Sequence, residues 1–223
     1  MKHLKIAAVC IFAVTVVAAV ASAQMGMRQT PMPQGVFSPV VGSGAQYEVT
    51  SSSGVKSTIE YAVVGKETVN GKDAYWIEWT TSGGPMGSAV MKMLFSADGG
   101  NTVTSRMIMQ MAGRPPMEMQ TQMGRMNGQQ TQPADIRNTW DDVGKESVTT
   151  PAGTFSCDHL RAKDGSGDTW VSDKVAPWGV VKHQGKDSTM VLTKVITDAK
   201  DKIVGTPVPF NPMQMMQQMQ PPQ

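Results

Sequence analysis

From Tyr47 onward the chain repeats one pattern: a short run of alternating apolar and polar side chains, then a cluster of Gly, Pro, Asn, Asp or Ser. Successive side chains on a strand point to opposite faces, so alternation with period two marks a strand with one face buried. Residues 47–50 open the series. In the next run Val55, Ile59, Tyr61 and Val63 take one side, and Lys56, Thr58 and Glu60 the other. Asn70-Gly71 then predicts a tight hairpin, because both residues tolerate the positive φ that such a turn needs. Residues 74–80 follow, with Tyr75, Ile77 and Trp79 on one face and Trp76 opposite.

The next strands are unusual in what they bury. Residues 89–95 place Met91, Met93 and Phe95 on one face. After the turn at Asp98-Gly99-Gly100-Asn101, Val103, Met107, Met109 and Met111 share a face against Thr104, Arg106 and Gln110. Met117 and Met119 then alternate with Glu118 and Gln120. Three consecutive strands thus direct methionine to the same side. If they pair as a meander, Met91, Met93, Met107, Met109, Met111, Met117 and Met119 form one soft apolar surface.

The densest turn signals lie in residues 145–184. Thr150-Pro151-Ala152-Gly153, Asp164-Gly165-Ser166-Gly167 and Ala176-Pro177 each break the chain, with strands predicted at residues 146–149, 154–163, 168–172 and 179–184. Within 154–163, Phe155 and Cys157 share one parity while Leu160 and Ala162 take the other, so a bulge or strong twist is expected near Asp158. This block is expected to close the sheet opposite the methionine strands. Residues 135–143 hold room for a short helical turn anchored by Trp140. Residues 188–197 form the last long strand. The fold class is mainly β: a strongly curved antiparallel sheet of roughly nine to eleven strands with minor helix. A closed barrel and a two-sheet sandwich remain alternatives.

The ends of the chain differ from this middle. Lys2 and Lys5 precede an apolar run at residues 6–20, and Ala21-Ser22-Ala23 gives a small-x-small cleavage pattern. Residues 1–23 therefore read as a signal peptide cleaved after Ala23, which places the mature protein in the periplasm or outside the cell, with no stable membrane span. Residues 24–39 form a flexible arm rich in Gln, Met and Pro. Residues 40–204 are a single β-rich domain with a mobile loop at 121–134, and 205–223 are a low-complexity Met/Gln/Pro tail. In that tail Asn211-Pro212 could cap a short helix with Met213 and Met216 on one stripe.

Removing the leader takes away Lys2 and Lys5 and leaves eighteen basic residues against eighteen acidic ones. A neutral mature chain has no electrostatic footprint for nucleic acid. It keeps one cysteine, Cys157, so stability comes from packing rather than from an internal disulfide. Only His159 and His183 remain as histidines, and no nucleophile elbow, phosphate loop or zinc-binding helix motif occurs. Cys157 and His159 read as packing residues. Asp141-Asp142 and the pair Asp164/Asp168 fit turns better than acid–base dyads. No catalytic residue, metal ligand or cofactor is assigned. The 19 methionines leave one chemical alternative, since thioethers bind Cu(I). Methionine also suits irregular cores and adaptable apolar ligands.

Several stretches together resemble a known group. They are Gly71-Lys72-Asp73-Ala74-Tyr75-Trp76-Ile77-Glu78, Lys92-Met93-Leu94, Val148-Thr149-Thr150-Pro151-Ala152-Gly153-Thr154-Phe155, Trp170-Val171-Ser172 and Trp178-Gly179-Val180-Val181-Lys182. Over residues 40–200 the chain resembles bacterial exported proteins related to the LolA/LolB-like superfamily of lipoprotein carriers. The resemblance implies an incomplete barrel whose concave face holds acyl chains. The carriers cover that face with helices, and little helix is expected here. The expected activity is non-enzymatic binding of an apolar small molecule or lipid, or of a segment of an envelope lipoprotein, on the methionine face. A copper-binding or oxidant-buffering role and a structural envelope role without ligand are the alternatives.

Overall fold

The computed structural model describes residues 33–82, 89–120 and 132–210. The leader, the first part of the arm (24–32), most of the 121–134 loop and the tail beyond 210 lie outside the described residues. So does the expected cap at Asn211-Pro212. The described chain forms one sheet. Its strands are β1 (Gly44–Ser51), β2 (Lys56–Val69), β3 (Lys72–Ser82), β4 (Ala89–Asp98), β5 (Asn101–Met111), β6 (Met117–Gln120), β7 (Gln132–Pro133), β8 (Asp141–Thr150), β9 (Gly153–Arg161), β10 (Gly167–Val171), β11 (Val180–Gly185), β12 (Ser188–Ile196) and β13 (Val208–Pro209). Thirteen described strands replace the roughly nine to eleven expected. Two of the additions, β7 and β13, are two residues long, too short to leave an alternation in sequence.

The strand order is β13-β6-β5-β4-β3-β2-β1-β12-β11-β10-β9-β8, with β7 pairing β5 off this path. Two antiparallel meanders, β1–β6 and β8–β12, are joined where β1 pairs β12. The block of residues 145–184 thus lies toward the β8 edge, away from the methionine strands. All neighbouring pairs are antiparallel except β13 with β6, which is parallel. Asn70 and Gly71 take φ values of 51° and 76° at the β2–β3 hairpin, the double positive φ that Asn-Gly supplies at low cost.

The register separates two faces. One carries Tyr47, Ile59, Tyr61, Val63, Ile77 and Leu192, all at most 5% exposed. The Tyr47 hydroxyl donates to the Val180 carbonyl at 2.9 Å, reaching past β12 to β11 across this face. Burial pushes the phenols of Tyr47 and Tyr61 well above their ordinary range, so both stay protonated.

The short segment at residues 35–38 shows how the sheet curves. The Val36 amide donates to the Trp178 carbonyl (2.7 Å), the Phe37 amide to Ala134, and the Ser38 amide to Pro177. The Phe37 ring lies 6.5 Å from Tyr75 of β3, 6.4 Å from Phe95 of β4 and 5.1 Å from Trp178. Val36 next to it packs with Ile136, Leu160 of β9 and Val171 of β10. Strands near opposite ends of the order therefore meet the same two residues, so the sheet bends around this inner face. Residues 33–39, part of the expected arm, supply this plug.

The helical content is one 3-10 turn, Ile136–Asn138, among the described residues. The Asp135 carboxylate accepts from the Arg137 amide at 2.9 Å and caps it. Ile136, fully buried, is its main anchor, and Trp140 packs against the same cluster. No described helix is long and apolar enough to cross a membrane.

Candidate functional site

Strand order places β4, β5 and β6 side by side, and register decides which methionines meet. Met91 pairs with Met109, which pairs with Met117. Met93 pairs with Met107, which pairs with Met119. Met111 sits opposite Ala89. On β3, Trp79 extends the first row and Ile77 the second. All seven expected methionines thus share the inner face in two cross-strand rows. Met93, nearest the plugged core, is 7% exposed. The other six are half-buried. No ionisable side chain interrupts the rows.

Val103 does not join them. Leu94 pairs Arg106 but Phe95 pairs Thr104, so Ser105 is an extra residue on β5. An extra residue reverses the parity of what precedes it. Thr102 and Thr104 take the inner positions, and Val103, opposite Ser96, turns outward. The bulge expected near Asp158 is also displaced. β9 pairs β10 without a shift, and the extra residue is Val143 on the other neighbour, β8. Cys157 and Leu160 point to opposite faces of a regular strand and both are buried, at 2% and 1% exposure. With both faces covered, alternation of hydrophobicity carries no parity information.

The outer face holds two polar assemblies. On β8–β11, His159 lies between two carboxylates: its Nδ1 is 2.5 Å from Glu146 Oε1 and its Nε2 is 2.9 Å from Asp168 Oδ1. The Trp170 indole N–H donates to Glu146 Oε2 at 3.1 Å, and its ring stacks on the imidazole at 4.3 Å. Lys182 Nζ lies 4.4 Å from the centroid of that indole, and Arg161 Nε donates to Asp168. Burial raises the Asp168 carboxyl, but the His159 and Arg161 bonds outweigh it, and the net shift is downward. Both ring nitrogens of His159 are thus engaged by carboxylates of neighbouring strands. The expectation of His159 as a packing residue missed these partners. The signal was available: a period of two along β9 puts Cys157, His159 and Arg161 on one face. Only the pairing with β8 and β10 brings Glu146 and Asp168 to them. Burial, then the nearby charges of Asp158 and Glu146, push the Cys157 thiol up to about 11.

The second assembly lies behind the methionine rows. Residues 198–204 cross the outer face of β2–β5, and each of those four strands supplies one polar side chain to them. Glu60 of β2 accepts from Lys202 Nζ at 2.5 Å. Glu78 of β3 accepts from the Lys202 amide at 2.9 Å. Lys92 of β4 pairs with Asp201 at 2.5 Å. Gln110 of β5 exchanges two bonds with the Val204 backbone, at 2.9 and 3.0 Å. Glu78 is 1% exposed, and its Oε1 has no hydrogen-bond partner. Burial, opposed by the Lys202 amide and assisted by the charge of Asp201, pushes its carboxyl up to about 7. A shallow 260 Å³ depression lined by Gln46, Thr58, Glu60, Thr80 and Lys202 adjoins this segment. It contains none of the methionines. No group of three or more His, Cys, Asp or Glu side chains arranged to hold a metal occurs among the described residues.

No protein-family model matches the chain, and no curated protein matches it. Two solved structures are similar to it. One is a protein inferred to be exported, with a YmcC-like fold, from Bacteroides fragilis, at 12% identity over 73% of this chain and 99% of that one, with a TM-score of 0.41. The other is a protein inferred to be a lipoprotein, from Parabacteroides distasonis, at 16% identity over 74% of this chain and all of that one, also with a TM-score of 0.41. Likeness at this level says nothing of function.

Proposed function

We propose that this is an exported, non-enzymatic protein, in the manner of a LolA-like half-barrel, that holds an acyl chain against the methionine rows of β4–β6. The observation that carries the reading is the pairing of Met91–Met109–Met117 and Met93–Met107–Met119 on the inner face. These rows prolong the packed core toward the sheet edge, yet six of the seven methionines keep a water-accessible fraction. Unbranched thioether side chains adapt to a flexible apolar ligand without fixed shape. The absence of ionisable groups along the rows favours an acyl chain over a polar ligand. The leader read in residues 1–23 supports export.

The full chain, exported through its own leader into a bacterial periplasm, provides the test. Native mass spectrometry is expected to show a co-purifying lipid, and oleate is expected to raise the Tm saturably, because a ligand that binds only the folded state stabilises it. Absence of both overturns the reading and leaves a structural envelope role. An anaerobic Cu(I) titration against a competing chelator serves as the other arm. Stoichiometric Cu(I) uptake without any lipid effect replaces the acyl chain by a thioether metal site.

A further inference from the structure

We propose that residues 198–210 form a releasable strap whose grip on the sheet depends on the proton held by Glu78. The strap has two parts. Residues 198–204 lie across the outer face on Glu60, Glu78, Lys92 and Gln110. The chain then continues into β13, where the Val208 amide donates to Pro116 (2.9 Å) and the Phe210 amide to Glu118 (2.8 Å) at the exposed edge of β6. A two-residue parallel strand is a weak hold on a sheet edge. The outer-face contacts therefore decide whether β13 stays in place.

Glu78 is the sensitive member. With a proton, Oε2 accepts from the Lys202 amide and the second oxygen is a neutral O–H. Without one, a buried oxygen carries charge and has no donor, which is costly. The groups facing it are Glu60 on β2, Lys92 on β4, and Asp201 and Lys202 on the strap. Lys92 is directly opposite Glu78 in the β3–β4 register, but its ammonium is committed to Asp201. Ionised Glu78 competes with Asp201 for that one ammonium and repels Asp201 directly. Lys92 exchanges a partner on the strap for a partner on the sheet, and the strap loses its Lys92–Asp201 attachment, one of the four on the outer face. Release leaves the β6 edge, which carries Met117 and Met119, unpaired. The inference does not rest on the acyl-chain reading.

Amide exchange measured by NMR on the full chain, corrected for intrinsic rates, reads the strap directly. Protection at Val208 and Phe210 is expected to fall on going from pH 4.5 to pH 8. The limit is a few hundredfold, the ratio set by moving one carboxyl between 4.5 and about 7. The Lys202 amide shift is expected to titrate over the same range. Glu78→Gln, which keeps an acceptor for Lys202 and cannot ionise, is expected to hold high protection at both pH values. Asp201→Asn is expected to move the midpoint downward, since it removes the charge that helps hold the Glu78 proton, and it keeps the test open if the Gln variant does not fold. Equal corrected protection at Val208 and Phe210 on both sides of neutrality, or unchanged pH dependence in either variant, overturns the proposal.

Discussion

Met93 and Met117 offer an internal control for the acyl-chain reading, because truncation to Ala removes the same atoms at two sites of different burial. Met93 lies between Ile77 and Met107 in the register and is 7% exposed. Met93→Ala therefore loses its transfer free energy and leaves a cavity, at about 2–5 kcal/mol. Met117 lies one strand from the edge and is half-buried. Part of its surface already meets water and no enclosed cavity forms, so Met117→Ala costs about 1 kcal/mol in the ligand-free protein. Urea denaturation with a constant m-value measures both. Oleate affinity reverses the ranking. Losing the outer methylenes of Met117 or Met109 weakens binding by about three- to tenfold each, at about 0.8 kcal/mol per CH₂ no longer covered. Met93→Ala leaves oleate affinity within about twofold of the parent once the folded fraction is held fixed. If Met117→Ala destabilises the free protein as much as Met93→Ala does, and oleate affinity is unchanged, the rows are ordinary core and the acyl-chain reading is refuted.

Glu78 gives a second test through linkage. Its folded value of about 7 lies above the ordinary 4.5, so the folded state binds the proton more tightly. The stability it confers is full below pH 4.5, declines as pH rises to about 7, and is lost above that. The change is about 3 kcal/mol at most. Chemical denaturation from pH 4.5 to 8 should show Glu78→Gln more stable than the parent only at the high end, and a gain at low pH contradicts the assignment. Cys157, buried and with its thiol raised to about 11, is expected to react with a disulfide reagent at neutral pH only on unfolding. Fast labelling of the native protein contradicts its placement. At Gly35 an added Cβ would fall 1.9 Å from the Trp178 carbonyl oxygen. Gly35→Ala is expected to displace the plug and cost about 1–3 kcal/mol, with a shift in Trp178 emission. Gln34→Ala at the exposed neighbour should change neither.

How far the sequence reveals this molecule depends on which signals are local. The β2–β3 hairpin is legible because Asn70-Gly71 encodes its own turn. The methionine strands are legible because methionine recurs at every second position of their inner face, although Leu94 and Ile108 are buried apolar residues on the outer one. Parity fails at Val103, where the extra residue Ser105 leaves no mark in composition. It fails again around Cys157 and Leu160, where both faces are covered. The plug at Val36 and Phe37 is hidden for a different reason: it lies in Pro- and Gly-rich sequence, and its partners are brought together only by the bend of the sheet. The His159 assembly needs β8 and β10 placed beside β9. The strap over Glu78 needs residues over a hundred positions apart to meet. Sequence shows that Glu78 sits outward on β3, but not that residues 198–204 bury it.

These outward residues also explain how the methionine rows keep their register. A slip of one residue anywhere in β3–β5 would turn Trp79, Met91 and Met109 outward and Glu78, Lys92 and Gln110 inward. An adaptable methionine surface resists such a slip weakly, since soft side chains specify geometry poorly. The outer face supplies what the inner one lacks. Arg106 of β5 bonds Glu118 of β6 at 2.7 Å and Glu67 of β2 at 3.0 Å, while its guanidinium lies 5.0 Å from the Trp76 centroid of β3. Each contact is partly exposed, and singly each is worth little. Together they tie four strands to one alignment, and the strap ties β2–β5 again through Glu60, Glu78, Lys92 and Gln110. Specific polar contacts on one side thus permit a loosely specified apolar surface on the other. Because one of those contacts depends on the proton of Glu78, the outer-face ties that align the methionine strands weaken as pH rises toward neutrality.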